Sequence, residues 1–201
     1  MNEKAADPSN IQTSELSPGS LCNHFLIAMP NMADSSFAHS VTYICEHTDQ
    51  GAMGIVINHP MAMTLQDIFA QMDFASEQSR QRDQKLLAGG PVQQERGFVL
   101  HTSDSKWDST LDISSDICLT ASRDIIVALA QGEGPKSCLV ALGYAGWGKG
   151  QLEDEIAANS WLTVPASKQI LFETPYELRW TAAAQALGID VNLISNVAGH
   201  A

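Results

Sequence analysis

Cys138-Leu139-Val140-Ala141-Leu142-Gly143-Tyr144-Ala145-Gly146-Trp147-Gly148-Lys149-Gly150-Gln151-Leu152-Glu153-Asp154-Glu155 sets the architecture of this chain. Its first five residues are apolar throughout, as in a strand covered on both faces. Residues 151–159 suit a helix, and Glu153, Asp154 and Glu155 favour the positive end of that helix. The glycines between strand and helix predict a turn over 143–150, because glycine reaches backbone angles closed to other residues. On that turn stand two large rings, Tyr144 and Trp147, with Gln151 just beyond. The expected result is a surface that displays Trp147 outward to a ligand or partner.

Working outward, residues 25–29, 41–45 and 52–57 read as strands. Asp49-Gln50-Gly51 turns the chain between the last two, and Asn58-His59-Pro60 stops the third. Further strands are expected at 86–88 and 97–101, around Gly89-Gly90-Pro91. Leu111, Ile113, Ile117 and Leu119 alternate at period two, with Ser114-Ser115 able to split the run. Thr64 and Asp67 have capping-box spacing ahead of a helix whose inner face is Leu65, Ile68, Phe69 and Met72. A second helix is expected over 122–131, with Ile125, Ile126 and Leu129 inward and Gly132 ending it. Strands at 161–164 and 190–194 bracket a helix from Pro175 to Leu187, closed by Gly188. Residues 75–84 read as an exposed loop, 1–20 as a mobile arm, and 21–201 as one domain. Many short strands with interspersed helices predict a strongly curved mixed sheet flanked by helices, an α+β fold of α/β-like character.

The chain has 201 residues, enough for one domain with a substantial core. Its formal charge of −12 repels phosphate backbones and anionic lipid, so direct nucleic-acid binding and membrane association are not expected. No apolar run reaches the roughly 20 residues needed to span a bilayer, and no secretory signal opens the chain. The expected compartment is the cytoplasm. Cys22, Cys45, Cys118 and Cys138 form no CxxC pair and read as buried free thiols.

Gly143, Gly148 and Lys149 fit a phosphate-loop spacing, but Gly150 lacks the hydroxyl that would hold magnesium. The acidic trio beyond it would also repel an anion. Cys45, Glu46, His47 and His59 are zinc-type ligands without a fourth partner in view, so no metal and no cofactor are assigned. Asn58 and His59 lie at a strand end, where they serve either the turn or a polar pocket; the same choice applies to Gly90. His24, His101, Ser103 and Asp104 offer loose triad ingredients without a nucleophile elbow. Cys118 and Cys138 lie in apolar runs, where thiols are inert. No catalytic residue is assigned.

Several ordered segments resemble one family. They are Leu26-Ile27-Ala28-Met29-Pro30, then His47-Thr48-Asp49-Gln50-Gly51-Ala52-Met53-Gly54-Ile55-Val56-Ile57-Asn58, Gly89-Gly90-Pro91-Val92, Val99-Leu100-His101, and Gly143 to Gly148 with Gly150-Gln151-Leu152-Glu153. Together with Trp161, they are similar to the YqgE/AlgH family of bacterial proteins, also labelled UPF0301, from about Leu21 to Ile194. The resemblance implies a single-domain α/β or α+β protein with a curved, partly barrel-like mixed sheet in the bacterial cytosol. Family labels describe transcriptional regulators of alginate production, and no catalytic residues carry over. The expected function is a non-enzymatic regulatory or protein-interaction domain with an unidentified protein or small-molecule partner. The alternative is a small-molecule binding protein or enzyme with a pocket involving Asn58, His59, Gly90, His101 or Trp147. An exposed Trp147 favours the first, and a deep pocket of convergent His and Asn groups the second.

Overall fold

Alternating apolar residues build a curved half-barrel in the computed structural model, which describes residues 19–30, 32, 34 and 37–189. The strands are β1 (His24–Ala28), β2 (Val41–Thr48), β3 (Gly51–Val56), β4 (Pro60–Thr64), β5 (Lys85–Ala88), β6 (Val92–Thr102), β7 (Thr110–Asp112), β8 (Ile117–Thr120), β9 (Cys138–Gly148) and β10 (Trp161–Pro165). The α-helices are α1 (Leu65–Gln71), α2 (Arg123–Gln131), α3 (Gln151–Ala157) and α4 (Arg179–Ala186). The sheet runs β10-β1-β2-β3-β9-β6-β8-β7, with β5 pairing both β4 and β9. It is mixed because β5 lies parallel to β9, whereas β6 and β3 pair β9 antiparallel.

The curved sheet divides the core into three. Phe25, Tyr43, Ile55, Leu100 and Leu139 fill the barrel interior. On the outside, Leu65 and Phe69 of α1 with Ile125 and Leu129 of α2 cover Val99 and Val140. Leu152 of α3 packs with Leu26, Ile44, Ala145, Trp147 and Trp161. Fully burying an aliphatic or Phe side chain contributes about 1.5–3 kcal/mol, so these faces hold the helices on the sheet.

Most expected elements are present. The Thr64–Asp67 capping box forms: Asp67 Oδ2 accepts the Thr64 N–H at 2.7 Å and its hydroxyl at 2.9 Å. Ser114 and Ser115 fall between β7 and β8, and Gly132 caps α2 at φ 76°. The strand expected at 190–194 and nearly all of the 1–20 arm lie outside the described residues.

Three expectations need correction. The glycine-rich stretch after Leu142 is not a turn: β9 continues through it to Gly148 and pairs with β3. Ala145 and Trp147 are buried, beneath α3, while Gly146 and Gly148 are exposed, a period-two pattern that glycine hides. β4 goes unread because Pro60 reads as a stop, yet proline is tolerated at a strand's first residue. Pro175 opens only a 3-10 turn, Tyr176–Leu178, before α4.

A π-helical turn, Gln169–Glu173, follows β10. Its Leu171 is fully buried in the barrel core, and Lys168 just before it bonds Asp116, ahead of β8, at 3.1 Å. The turn therefore ties one end of the sheet order to the other across the barrel's open side. Among the described residues, no helix is long and apolar enough to cross a membrane.

Candidate functional site

A cleft of about 410 Å³ opens along that seam. Lys168, Phe172 and Glu173 form one wall; Thr102, Ser103, Asp104 and Asp116 form the other; Lys136 and Ser137 close the end. Asp104 is held by two donors. It accepts a short hydrogen bond from the Thr102 hydroxyl and one from the Lys136 N–H at 3.2 Å. Its burial opposes charge, but these donors and the Lys136 ammonium prevail and hold its pKa below the aspartate value. Ser103 spends its hydroxyl on the Ser115 carbonyl at 2.8 Å, so it is no activated nucleophile.

Trp147 does not project as the sequence suggests. It is 6% exposed, stacked on Phe37 and edge-on to Trp161. Its indole N–H donates to Glu155 Oε2 at 2.9 Å, and the Trp161 indole donates to the same oxygen at 2.8 Å. Gln151 donates its amide to Glu155 Oε1 at 2.9 Å and accepts the Gly148 N–H at 3.0 Å. Ring centroids 5.5–6.3 Å apart mean that the three rings fill the space between themselves. An outward docking face at Trp147 is thus replaced by a packed aromatic node closed by one carboxylate.

The remaining candidates are dispersed. Asn58 accepts the Val41 N–H at 2.7 Å and donates to the His39 carbonyl at 2.8 Å, a turn-holding role. His59 is half-buried, and burial draws its pKa down against a bond to Ala38. At Gly90, a Cβ would sit 2.1 Å from the Tyr144 carbonyl carbon, so glycine there serves backbone contact. Tyr144 is half-buried, edge-on to Phe98. His101 is fully buried, with both ring nitrogens engaged by Thr102 and Thr120. None of these residues lines the seam cleft.

The zinc-type residues part company as well. Cys45 packs into the barrel core, whereas His47 accepts the Leu21 N–H at Nδ1 and meets Glu153 at 2.8 Å. Glu153 is held below its ordinary pKa by a bond to its own backbone and by His47. Among the described residues, no group of three or more His, Cys, Asp or Glu is placed to hold a metal ion. Burial pushes the thiols of Cys118 and Cys138 up to about 12, removing the thiolate that would react.

The sequence model of the AlgH-like family matches residues 25–192. The chain belongs to the AlgH-like family. A UPF0301 protein of Saccharophagus degradans is 59% identical over 182 residues, covering 90% of this chain and 89% of that one. One from Thioalkalivibrio sulfidiphilus is 56% identical over 179 residues, 89% of this chain and 96% of its own. The solution structure of the AlgH protein from Pseudomonas aeruginosa matches with a TM-score of 0.75 at 47% identity, over 94% of this chain and all of that one. A crystal structure from Corynebacterium diphtheriae shares the fold alone, with a TM-score of 0.67 at 19% identity over 92% and 94%.

In this AlgH-like chain the residues that define the sites are largely ones the sequence hides. Glu155 reads as one of three helix-start acids, and nothing in the spacing says that two indoles eight and six residues away converge on it. Arg179, 2% exposed, donates to the carbonyls of Thr174 and Ile57 and lies 4.6 Å from the Tyr176 ring centre. Lys136 and Lys168 reach one cleft from segments that only tertiary folding brings together.

Proposed function

We propose that this AlgH-like protein is a non-enzymatic interaction domain that engages a protein partner at the seam cleft. The observation that carries the proposal is the lining: charges of both signs, Lys136, Lys168, Asp104, Asp116 and Glu173, around the ring of Phe172. A ring inside a charged rim is the layout of a protein contact, whereas small-molecule sites are mostly apolar and enclosed. The alternatives for chemistry are occupied elsewhere: His101 at both nitrogens, Ser103 by a carbonyl, and Cys118 and Cys138 by burial. A regulatory role fits this reading, exerted through a protein contact and not on DNA, since a charge of −12 opposes a phosphate backbone. Four free cysteines suit the reducing cytoplasm.

A small polar ligand in the same cleft is the second reading, favoured by a volume inside the usual range of roughly 300–1,000 Å³. Native mass spectrometry of the tagged full chain, purified gently from its host, separates the two. A stoichiometric protein partner that is lost in a folded Lys168→Glu/Phe172→Ala variant supports the proposal. A small mass adduct lost in that variant supports the second reading. Partners unaffected by the variant overturn both, and tight salt-sensitive binding to duplex DNA overturns the exclusion of DNA.

A further inference from the structure

The hydrogen bonds around His101, buried at Nε2 and part-buried along the rest of the chain, together call for one more proton than a neutral imidazole supplies. Nδ1 lies 2.8 Å from the Thr102 carbonyl oxygen, and Nε2 lies 2.8 Å from Thr120 Oγ1. Thr120 Oγ1 is 2.7 Å from Thr110 Oγ1, which donates to the Trp107 carbonyl at 2.8 Å. Thr110 Oγ1 also accepts the Trp107 N–H at 3.3 Å.

A hydroxyl owns a single proton. Thr110 has spent its proton on Trp107, so the one between the two threonines belongs to Thr120. Thr120 then has none left for His101, and Nε2 must be an N–H. Nδ1 faces a carbonyl, which only accepts, so Nδ1 must be an N–H as well. A ring with both nitrogens protonated is the imidazolium. Four contacts take four protons, and a neutral ring with two threonines carries three.

We propose that His101 is a buried proton-binding site, held as the imidazolium by the Thr120–Thr110 chain, and that loss of its proton loosens the β7 edge strand. This goes beyond the interaction role and does not depend on it. The groups around the ring fit a positive charge. Asp112 on β7 and Asp104 in the turn after β6 both favour the charged form, and Lys106 is already bonded to Asp112 at 2.8 Å. Cys118 on β8 and Cys138 on β9 pair with His101 in register, and both are held as neutral thiols. The Trp107 ring stands edge-on, 5.0 Å away between centres.

Burial works the other way and draws the ring below the ordinary histidine value, against the Thr102 carbonyl and the two carboxylates. The threonine chain decides the balance. Without the extra proton, two acceptors in this chain face each other at 2.7–2.8 Å, beside a His101 and a Thr120 that water does not reach. When the proton leaves, Thr120 turns its hydroxyl to Nε2, and Thr110 keeps only one of its two links, to Thr120 or to the Trp107 carbonyl. Thr110 belongs to β7, which among the described residues ends the sheet order and pairs with β8 alone.

Nitrogen NMR of the His101 ring in the full chain, titrated from pH 5 to pH 9, tests the idea. The expected result is a doubly protonated ring with a midpoint above the free-histidine value of about 6.5. Amide exchange at 110–112 should quicken above that midpoint. Thr110→Val removes the competing acceptor, lets Thr120 donate to Nε2, and should lower the ring's proton affinity at least tenfold. Thr110→Ser restores the hydroxyl and should restore the midpoint. If Thr110→Val does not fold, Thr120→Val should lower the midpoint in the same direction. A wild-type midpoint at or below that of free histidine, or one unmoved by the valine variants, overturns the proposal.

Discussion

Trp147 and Glu155 meet at 2.9 Å across the junction of β9 and α3, and this bond helps hold the helix on the sheet. The same Glu155 oxygen takes the Trp161 indole from β10, so one carboxylate joins two strands and a helix. Glu155→Ala leaves two largely buried indole N–H groups without an acceptor. Each such group costs about 1–3 kcal/mol, so a loss of about 2–6 kcal/mol is expected. Glu155→Gln keeps an acceptor oxygen and should cost about 1 kcal/mol. Urea unfolding measures both, and an alanine variant as stable as the parent would remove the node's structural role.

Glycines at Gly90 and Gly97 make opposite demands. Gly90 has φ +154°, and a Cβ there would meet the Tyr144 carbonyl carbon and oxygen at 2.1 and 2.2 Å, both backbone atoms that cannot swing away. Gly90→Ala should cost about 2–4 kcal/mol through strain and overpacking. Gly97 has nothing within 4 Å of its would-be Cβ and lies in a strand, so Gly97→Ala should be neutral or stabilise by up to about 1 kcal/mol. Equal effects at the two sites, read from thermal or denaturant midpoints, would count against the close approach of Gly90 to β9.

These two kinds of residue show how far the sequence could be read. Capping at Thr64–Asp67 and the split between β7 and β8 depend on neighbours a few residues apart, and local spacing reports them. The strand after Leu142 was hidden because glycine on its outer face carries neither polar nor apolar signal. Trp147 is marked by its size as important, but whether a ring is displayed or packed depends on Phe37 and Trp161, far from it in sequence. The seam cleft was beyond reach for the same reason. Its walls come from four separated segments, and the π-helical turn that shapes one of them has no short sequence signature.

Acid should weaken the fold through its aspartates. Asp104, Asp112 and Asp124 all sit below the aspartate value of 3.8. For Asp124, burial opposes charge, but the Ser122 hydroxyl and the N–H groups of Asp108 and Ile125 outweigh it. A depressed carboxylate pKa stabilises the folded state above the unfolded value and loses that contribution as pH falls through the folded value. Stability should therefore hold above about pH 4 and decline below it, even though protonation relieves the repulsion of a −12 chain. Thermal melts from pH 2.5 to 6 should show this, and Asp124→Asn should flatten the acid limb. A flat parental profile would mean that those donors do not hold the carboxylates ionised.

Arg179 gives the sharpest test of the seam's anchoring. Its guanidinium donates to the carbonyl of Ile57, just after β3, and to that of Thr174 beside the π-helical turn, the second bond being 2.9 Å long. Burial draws its pKa down to about 10, against the pull of Tyr176 and Glu177, so among the described residues the ring beneath it and the two carbonyls carry the charge without a carboxylate bonded to it. Arg179→Met keeps the stem in its packed place but strands both carbonyls, at an expected cost of about 2–4 kcal/mol. Arg179→Lys offers a point charge in place of a fork, cannot span both carbonyls in the same geometry, and should recover only part of that loss. The location of the effect matters more than its size. If Arg179 anchors the turn, amide exchange in Arg179→Met should quicken first at 169–174 while β6 and β9 stay protected. Uniform quickening across the sheet would instead mean that the residue merely fills the core, and the seam would owe its shape to Leu171 and the Lys168–Asp116 pair alone.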